Sequence, residues 1–288
     1  MCDANFWKPH TQTMGSLDAP AAAAAFAAAR TSATTLFALP ESFPANATEA
    51  DGYAVLNALE AEPGALGPRI GWKVGATNAQ AQASLGFSSP FYGPLFASAR
   101  IADGAGVSLA SLGARLVAAE AEFAFALGAA LPPRDAEYTE DEVWAATASF
   151  HPAIELAACR VTGVPATPAS VLADSAWNGA FVIGAPVACS SIQPGSIFKD
   201  KLHAATAALS VNGDEKAAGA GSGVLGSPLT SLTWLANALR SAGRGLAAGD
   251  VVLTGAAALH RTLAPGDCVS ASFVGVGADP LAVTVRIT

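Results

Sequence analysis

Charge is scarce in this 288-residue chain: only 13% of residues are Asp, Glu, Lys or Arg, and the 15 basic against 23 acidic side chains leave a net charge of −8. No Lys/Arg cluster interrupts that deficit. The electrostatic footprint of a nucleic-acid binder is therefore missing, and no nucleic-acid partner is expected. Cysteine is scarcer still. Cys2, Cys159, Cys189 and Cys268 form neither a CxxC pair nor a dense framework. That excludes a disulfide scaffold and fits reduced thiols in the cytoplasm. Long apolar runs are also absent, although 52% of residues are hydrophobic and the mean hydropathy is +0.39. The most apolar run, Ala21 to Ala29, lies between Pro20 and Arg30 and is far shorter than the ~20 residues of a membrane span. Met1 to Met14 carries Asp3 and His10 where an export leader has an apolar centre, which again predicts a cytoplasmic protein with no membrane partner.

Catalytic signatures of the common hydrolases are missing too. His10, His151, His203 and His260 show no HExxH or HxH spacing, and no GxSxG elbow occurs. Gly221 to Gly226 spells GxGxxG, but it follows the polar run Asp214 to Ala218 rather than a buried strand, so it lacks the context of a dinucleotide site.

What is present is a change of pattern along the chain. Residues 1–67 are Ala-rich and predict a helical region, with helices over Asp18 to Arg30 and Thr48 to Ala61. Residues 68–288 predict a β-rich domain; at ~150 residues per domain the length allows two such units. Its expected strands are Arg69 to Gly75, Arg115 to Leu127, Ala153 to Arg160, Gly179 to Ile183, Ala204 to Val211, Asp250 to Thr254, Asp267 to Phe273 and Leu281 to Ile287. Asn212-Gly213 signals a hairpin turn. A capping box of Thr139 and Glu142 predicts a helix running through Val143 to Phe150, and Pro228 opens another ending at Ala242. Strands outnumber helices and do not alternate with them, so the expected class is α+β rather than a doubly wound parallel sheet.

The chemistry concentrates in Leu116 to Leu127. As a strand, its period of two puts Glu120 and Glu122 on one face and Phe123, Phe125 and Leu127 on the other. Two carboxylates in an apolar stretch repel unless a cation lies between them; the alternative is a solvated acidic face on an edge strand. Glu155 is a third acid in an apolar run, Pro152 to Cys159. Three such acids look like oxygen ligands for Mg²⁺ or Mn²⁺. Lys73 shares a strand face with Gly71 and Gly75, which would leave room for a ligand beside the ammonium; otherwise it is a surface lysine. Asp174 precedes a strand and reads as a site acid or as a turn aspartate. Thr254, before Gly255, reads as a ligand contact or simply a strand end.

The segments GWKVGATN, LGFSSPFYGPLF, RLVAAEAEFAFALG, HPAIELAACRV, ADSAWNGAFVIG, LGSPLTSLTWLANAL and AGDVVLTGA, in this order, resemble the 2-keto-4-pentenoate hydratase and 2-oxo-3-hexenedioate decarboxylase family of the fumarylacetoacetate hydrolase superfamily. The resemblance implies a mixed β-roll with an N-terminal helical region and a homo-oligomer. It also implies a divalent metal at Glu120, Glu122 and Glu155, and an active-site lysine at Lys73. Two departures bear on the substrate. Phe91 stands where hydratases of the family carry the acid of a PDFG pattern, and Trp177 stands where the family writes the serine of DNAS.

The implied reaction is that of a carbon lyase, a hydratase or decarboxylase, acting on a 2-oxo (2-enol) carboxylic acid through a metal-chelated enolate. Lys73 and Asp174 are the expected catalytic residues, with Phe91, Trp177 and Thr254 against the substrate. The alternatives are a C–C bond hydrolase of an acylpyruvate-like diketone and a non-catalytic homologue that keeps the fold.

Overall fold

The computed structural model describes residues 16–32, 38–112, 115–161, 163–189, 196–277 and 280–288; Cys2 and His10 lie outside them. Seven helices are described: α1 (Ala19–Thr31), α2 (Glu49–Ala61), α3 (Ala79–Leu85), α4 (Glu140–Ala146), α5 (Pro168–Ala173), α6 (Ser196–Ala204) and α7 (Pro228–Ser241). The strands are β1 (Arg69–Gly75), β2 (Phe91–Phe96), β3 (Arg100–Ile101), β4 (Gly106–Val107), β5 (Arg115–Leu127), β6 (Thr147–Cys159), β7 (Asn178–Ile183), β8 (Val187–Ala188), β9 (Thr206–Val211), β10 (Asp214–Ala220), β11 (Val251–His260), β12 (Cys268–Val274) and β13 (Leu281–Ile287).

They form two sheets. One runs β2-β1-β11-β5-β6-β7-β3, with β8 on β6, and the other runs β10-β9-β12-β13-β4. Most pairings are antiparallel; β1 with β11, β3 with β7 and β13 with β4 are parallel. The fold is therefore α+β. Between the sheets lies one apolar core, where Phe123 of β5 meets Phe273 of β12 edge to face at 5.2 Å and Leu232, Leu235 and Leu239 of α7 pack in. Aromatic pairs of this geometry add about 0.5–1.5 kcal/mol beyond the area they bury.

The two N-terminal helices form where expected. Asp18 accepts from the amide of Ala21 to cap α1, and Thr48 with Asp51 makes a capping box on α2. They bury Phe26, Val55 and Leu59 against Ala169 and Ala173 of α5 and Phe96 of β2, in a cluster separate from the inter-sheet core. This second cluster ties the helical region to the strands that carry the site.

Three expectations are corrected. The capping box at Thr139 does start α4, but the helix stops at Ala146, because Thr147 and its successors pair with β5 (Leu127 with Thr147, Phe125 with Phe150). Tertiary pairing overrides the local helical signal there. The strand expected to end at Thr254 continues to His260 through a bulge, with Gly255 at φ +108 and a register shift between Leu253 and Ala256. Residues 204 and 205, expected to open a strand, instead end α6 and lead into β9. At the hairpin, Asn212 and Gly213 both have positive φ, +54 and +88, as a two-residue turn requires.

Candidate active site

β5 lies inside its sheet, between β11 and β6, so its acidic face is not that of an edge strand. Glu120 is the register partner of Glu155, and Glu122 lies one pleat further on, opposite Ala153. Each of the three carboxylates offers an oxygen within 4.8 Å of the others. Glu122 and Glu155 are buried and Glu120 is half-buried. Lys73 joins them from β1, three inter-strand steps of ~4.8 Å away in sheet order. Its Nζ nevertheless comes within 3.3 Å of Glu155 Oε2, because the long lysine and glutamate side chains reach toward each other across the intervening strands. The bulge in β11 lies on the path between them and increases the local twist.

Glu122, Glu155 and Lys73 each have a built partner. The amide of Gly255, exposed by that bulge, donates to Glu122 Oε2 at 2.6 Å. Asn178 Nδ2 donates to Glu155 Oε1 at 2.8 Å. Lys73 Nζ donates to the carbonyl of Ala176 at 3.1 Å and lies 5.4 Å from the centre of the Phe91 ring. That carbonyl belongs to a turn in which Ser175, Ala176 and Trp177 all have positive φ, +51, +53 and +58. Non-glycine residues in this region carry strain of order 1–3 kcal/mol each, which clusters at functional sites.

The electrostatics follow from burial. Loss of water raises the Glu120 carboxyl to about 7, with Glu155 adding repulsion. The same two causes hold Glu122 well above the usual carboxylate range. Burial alone would lower Lys73, but Glu155, Glu120 and Glu122 outweigh it and raise the ammonium above its ordinary value, so Lys73 stays charged at neutral pH. A divalent cation fits this donor set. The three oxygens converge, Glu155 Oε2 is buried with the ion pair to Lys73 but no hydrogen bond, and all-oxygen ligation suits a hard ion.

A cavity of about 510 Å³ opens over the group, lined by Lys73, Glu120, Phe91, Trp177, Thr77 and Arg261 among others. Of the sequence-derived site residues, Lys73, Glu120, Glu122, Glu155, Phe91 and Trp177 come together here. Two do not. Thr254 donates its hydroxyl to the carbonyl of Phe123 at 2.7 Å and is fully buried; it ties β11 to β5, while its neighbour Gly255 does the reaching. Asp174 is not among the lining residues. Its carboxylate accepts from the Arg160 amide at 2.6 Å and from Arg160 Nη1 at 2.9 Å, so it fixes the start of the strained turn. The space expected beside Lys73 is also filled: a Cβ at Gly71 would strike the Val251 main chain, and one at Gly75 the Phe91 ring. Gly71 therefore admits a neighbouring strand, while Gly75 admits the Phe91 ring and also lines the cavity.

Sequence reasoning passed over Asn178, Arg160 and Arg261. Asn178 and Arg160 carried a usable signal, since polar groups in apolar strand-like runs must be hydrogen-bonded when buried; Arg261 had none.

The sequence pattern of the fumarylacetoacetate (FAA) hydrolase C-terminal family matches residues 72–285. The chain belongs to this family. Within it, the chain is 31% identical to a 2-keto-4-pentenoate hydratase of Paraburkholderia xenovorans (strain LB400), over 79% of this chain and 81% of that protein. It is 33% identical to a 2-hydroxyhexa-2,4-dienoate hydratase of Comamonas testosteroni, over 85% and 90%. These place it in the 2-keto-4-pentenoate hydratase branch of the FAA hydrolase superfamily. Among solved structures, 4-oxalocrotonate decarboxylase from Pseudomonas putida G7, complexed with magnesium and adipate, superposes with a TM-score of 0.80 at 27% identity, covering 94% of this chain and 97% of that one. That coverage is wider than the stretch matched by the family pattern.

Proposed function

We propose that this protein is a divalent-metal-dependent carbon lyase, a hydratase or decarboxylase of a 2-oxo (2-enol) carboxylic acid. The observation that carries the reading is the convergence of Glu120, Glu122 and Glu155 within 4.8 Å, with Lys73 against Glu155 at the floor of the cavity. Family membership and the relatives' names support it.

Glu120, Glu122 and Glu155 would hold Mg²⁺ or Mn²⁺, which supplies Lewis acidity toward the carboxylate and adjacent oxygen of a 2-oxo acid. Lys73 is a second, preorganised positive centre, held by Ala176 and Glu155 and facing the cavity. Its raised affinity for protons suits it to stabilise negative charge developing on the substrate oxygen, rather than to act as a base. Phe91 covers one side of the ammonium and keeps water from it. Asp174, through Arg160, and Asn178, through Glu155, position these groups.

The finer reading concerns the substrate. Phe91 and Trp177 put large apolar surfaces where smaller or polar groups would recognise a short charged chain, so the cavity favours a longer or more apolar 2-oxo acid. The test is a screen of 2-oxo acids with Mg²⁺ and with Mn²⁺, following enol absorbance and identifying products. Metal-dependent turnover yielding a hydrated acid or CO₂ is expected. Failure of the metal-loaded protein on every 2-oxo acid of the screen would overturn the assignment.

A further inference from the structure

A second cavity, of about 290 Å³, lies between the end of α1 and the strands β3, β4 and β7; its lining includes Arg30, Arg160, Ser98, Ser111 and Gly179 and shares no residue with the active-site cavity. We propose that this cavity is a binding site for a small oxyanion, a carboxylate or a phosphate group, held by Arg30 and Arg160.

The first argument is charge. Both guanidinium groups are buried, Arg30 at 9% exposure and Arg160 at 1%. Arg160 is neutralised by Asp174, whose two oxygens it occupies. Arg30 has no ion pair among the described residues. Its Nη2 reaches only neutral acceptors at long range, Asn178 Oδ1 at 3.4 Å and the carbonyl of Gly179 at 3.2 Å. Asp174 and Glu155 offset its charge only from a distance; a buried charge without a paired partner is unfavourable, and no acidic side chain lines this cavity in a chain that carries 23 of them.

The second argument is unused donors. Arg30 Nη1 and Arg160 Nε are both buried without a hydrogen-bond partner. Buried donors without partners are exceptions that need a reason. Two forked guanidiniums bordering one cavity match the planar, multi-oxygen geometry of carboxylate and phosphate. Burial and the neighbouring Arg160 depress Arg30 to about 9, so it still carries its charge at neutral pH. The volume is at the small end for ligand sites, and it suits an oxyanion with few further atoms.

The proposal is independent of the metal site, and the test keeps the two apart. Inorganic phosphate and acetate would each be titrated calorimetrically into the full-length protein, its Glu122→Gln variant and its Arg30→Met variant. Expected is one saturable site per chain in the parent and in Glu122→Gln, weakened in Arg30→Met by about thirtyfold or more, the scale for removing one partner of a buried charge pair. Tighter acetate binding points to a carboxylate ligand, and tighter phosphate binding to a phosphorylated one. Binding that vanishes in Glu122→Gln, survives unchanged in Arg30→Met, or is absent from the parent overturns the site. Should Arg30→Met not fold, Ser98→Glu puts a competing carboxylate on the exposed rim. It should weaken anion binding about tenfold or more, and unchanged binding there also overturns the proposal.

Discussion

At the scale of single residues, what separates Lys73 from Thr254 is what their polar atoms meet. Both are buried in strands of the same sheet, but the Thr254 hydroxyl is used up by a neighbouring carbonyl, whereas Lys73 Nζ lines the cavity. Lys73→Met should therefore lower kcat by roughly a hundredfold or more, the scale for removing a preorganised charge stabiliser, while leaving calorimetric metal affinity nearly intact. Unchanged turnover would make Lys73 a structural cation. Asn178 makes the opposite split. It touches a proposed ligand rather than the cavity, so Asn178→Ala should weaken metal binding by about tenfold or more, as loss of an outer-shell partner does. Trp177→Ser should shift preference toward short 2-oxo acids, read as a ratio of kcat/KM values on a short and a long substrate.

At the scale of elements, the site depends on two irregularities: the bulge in β11 and the left-handed turn over Ser175 to Trp177. A Cβ at Gly93 would collide with the Ala176 side chain, and the Ala176 carbonyl is what holds Lys73. Gly93→Ala should thus cost about 1–3 kcal/mol of stability through overpacking and lower turnover as well, measured by calorimetry and steady-state kinetics. A variant with parent melting temperature and parent rate would show that the turn yields freely. These irregularities also mark where the sequence stops being legible. Period two in Arg115 to Leu127 was enough to place Glu120 and Glu122 on one face, because a regular strand allows only two faces. Arg69 to Gly75 and Leu281 to Ile287 were equally readable. The bulge was not, since Gly255 signals a strand end as well as a kink, and the strand order that lets Lys73 reach Glu155 depends on pairings far apart in sequence. The end of α4 was hidden for the same reason: β5, twenty residues away in the chain, decides that Thr147 is strand. Asp174 reads in the sequence as a catalytic acid, but the fold spends it on the buried Arg160 and keeps it off the cavity; only the place of Arg160 at the end of an apolar run hinted at that pairing.

At the scale of the whole molecule, the acidic cluster makes stability depend on pH and on metal together. Burial and mutual repulsion raise the Glu120 carboxyl from 4.5 in the unfolded chain to about 7 and carry Glu122 well above 4.5. Below pH 4.5 these groups are protonated in both states and contribute in full. As pH rises toward 7 the unfolded chain ionises first, so the metal-free protein loses stability across that window. Asp174, also raised by burial, acts in the same direction. His151 opposes them, because burial lowers it from 6.5 and its unfolded form binds the extra proton as pH falls. Comparison with Glu120→Gln isolates the carboxylate: the metal-free parent should lose a few degrees more in melting temperature between pH 5 and pH 7.5 than this variant does. Metal then reverses the loss, since cation binding requires the deprotonated carboxylates and stabilises only the folded state. The rise in melting temperature on adding Mg²⁺ or Mn²⁺ should be larger at pH 7.5 than at pH 5 in the parent, and nearly absent at both in Glu122→Gln. Differential scanning calorimetry at the two pH values checks this, and an equal metal response at pH 5 and pH 7.5 would mean that Glu120 and Glu122 lose no proton when metal binds.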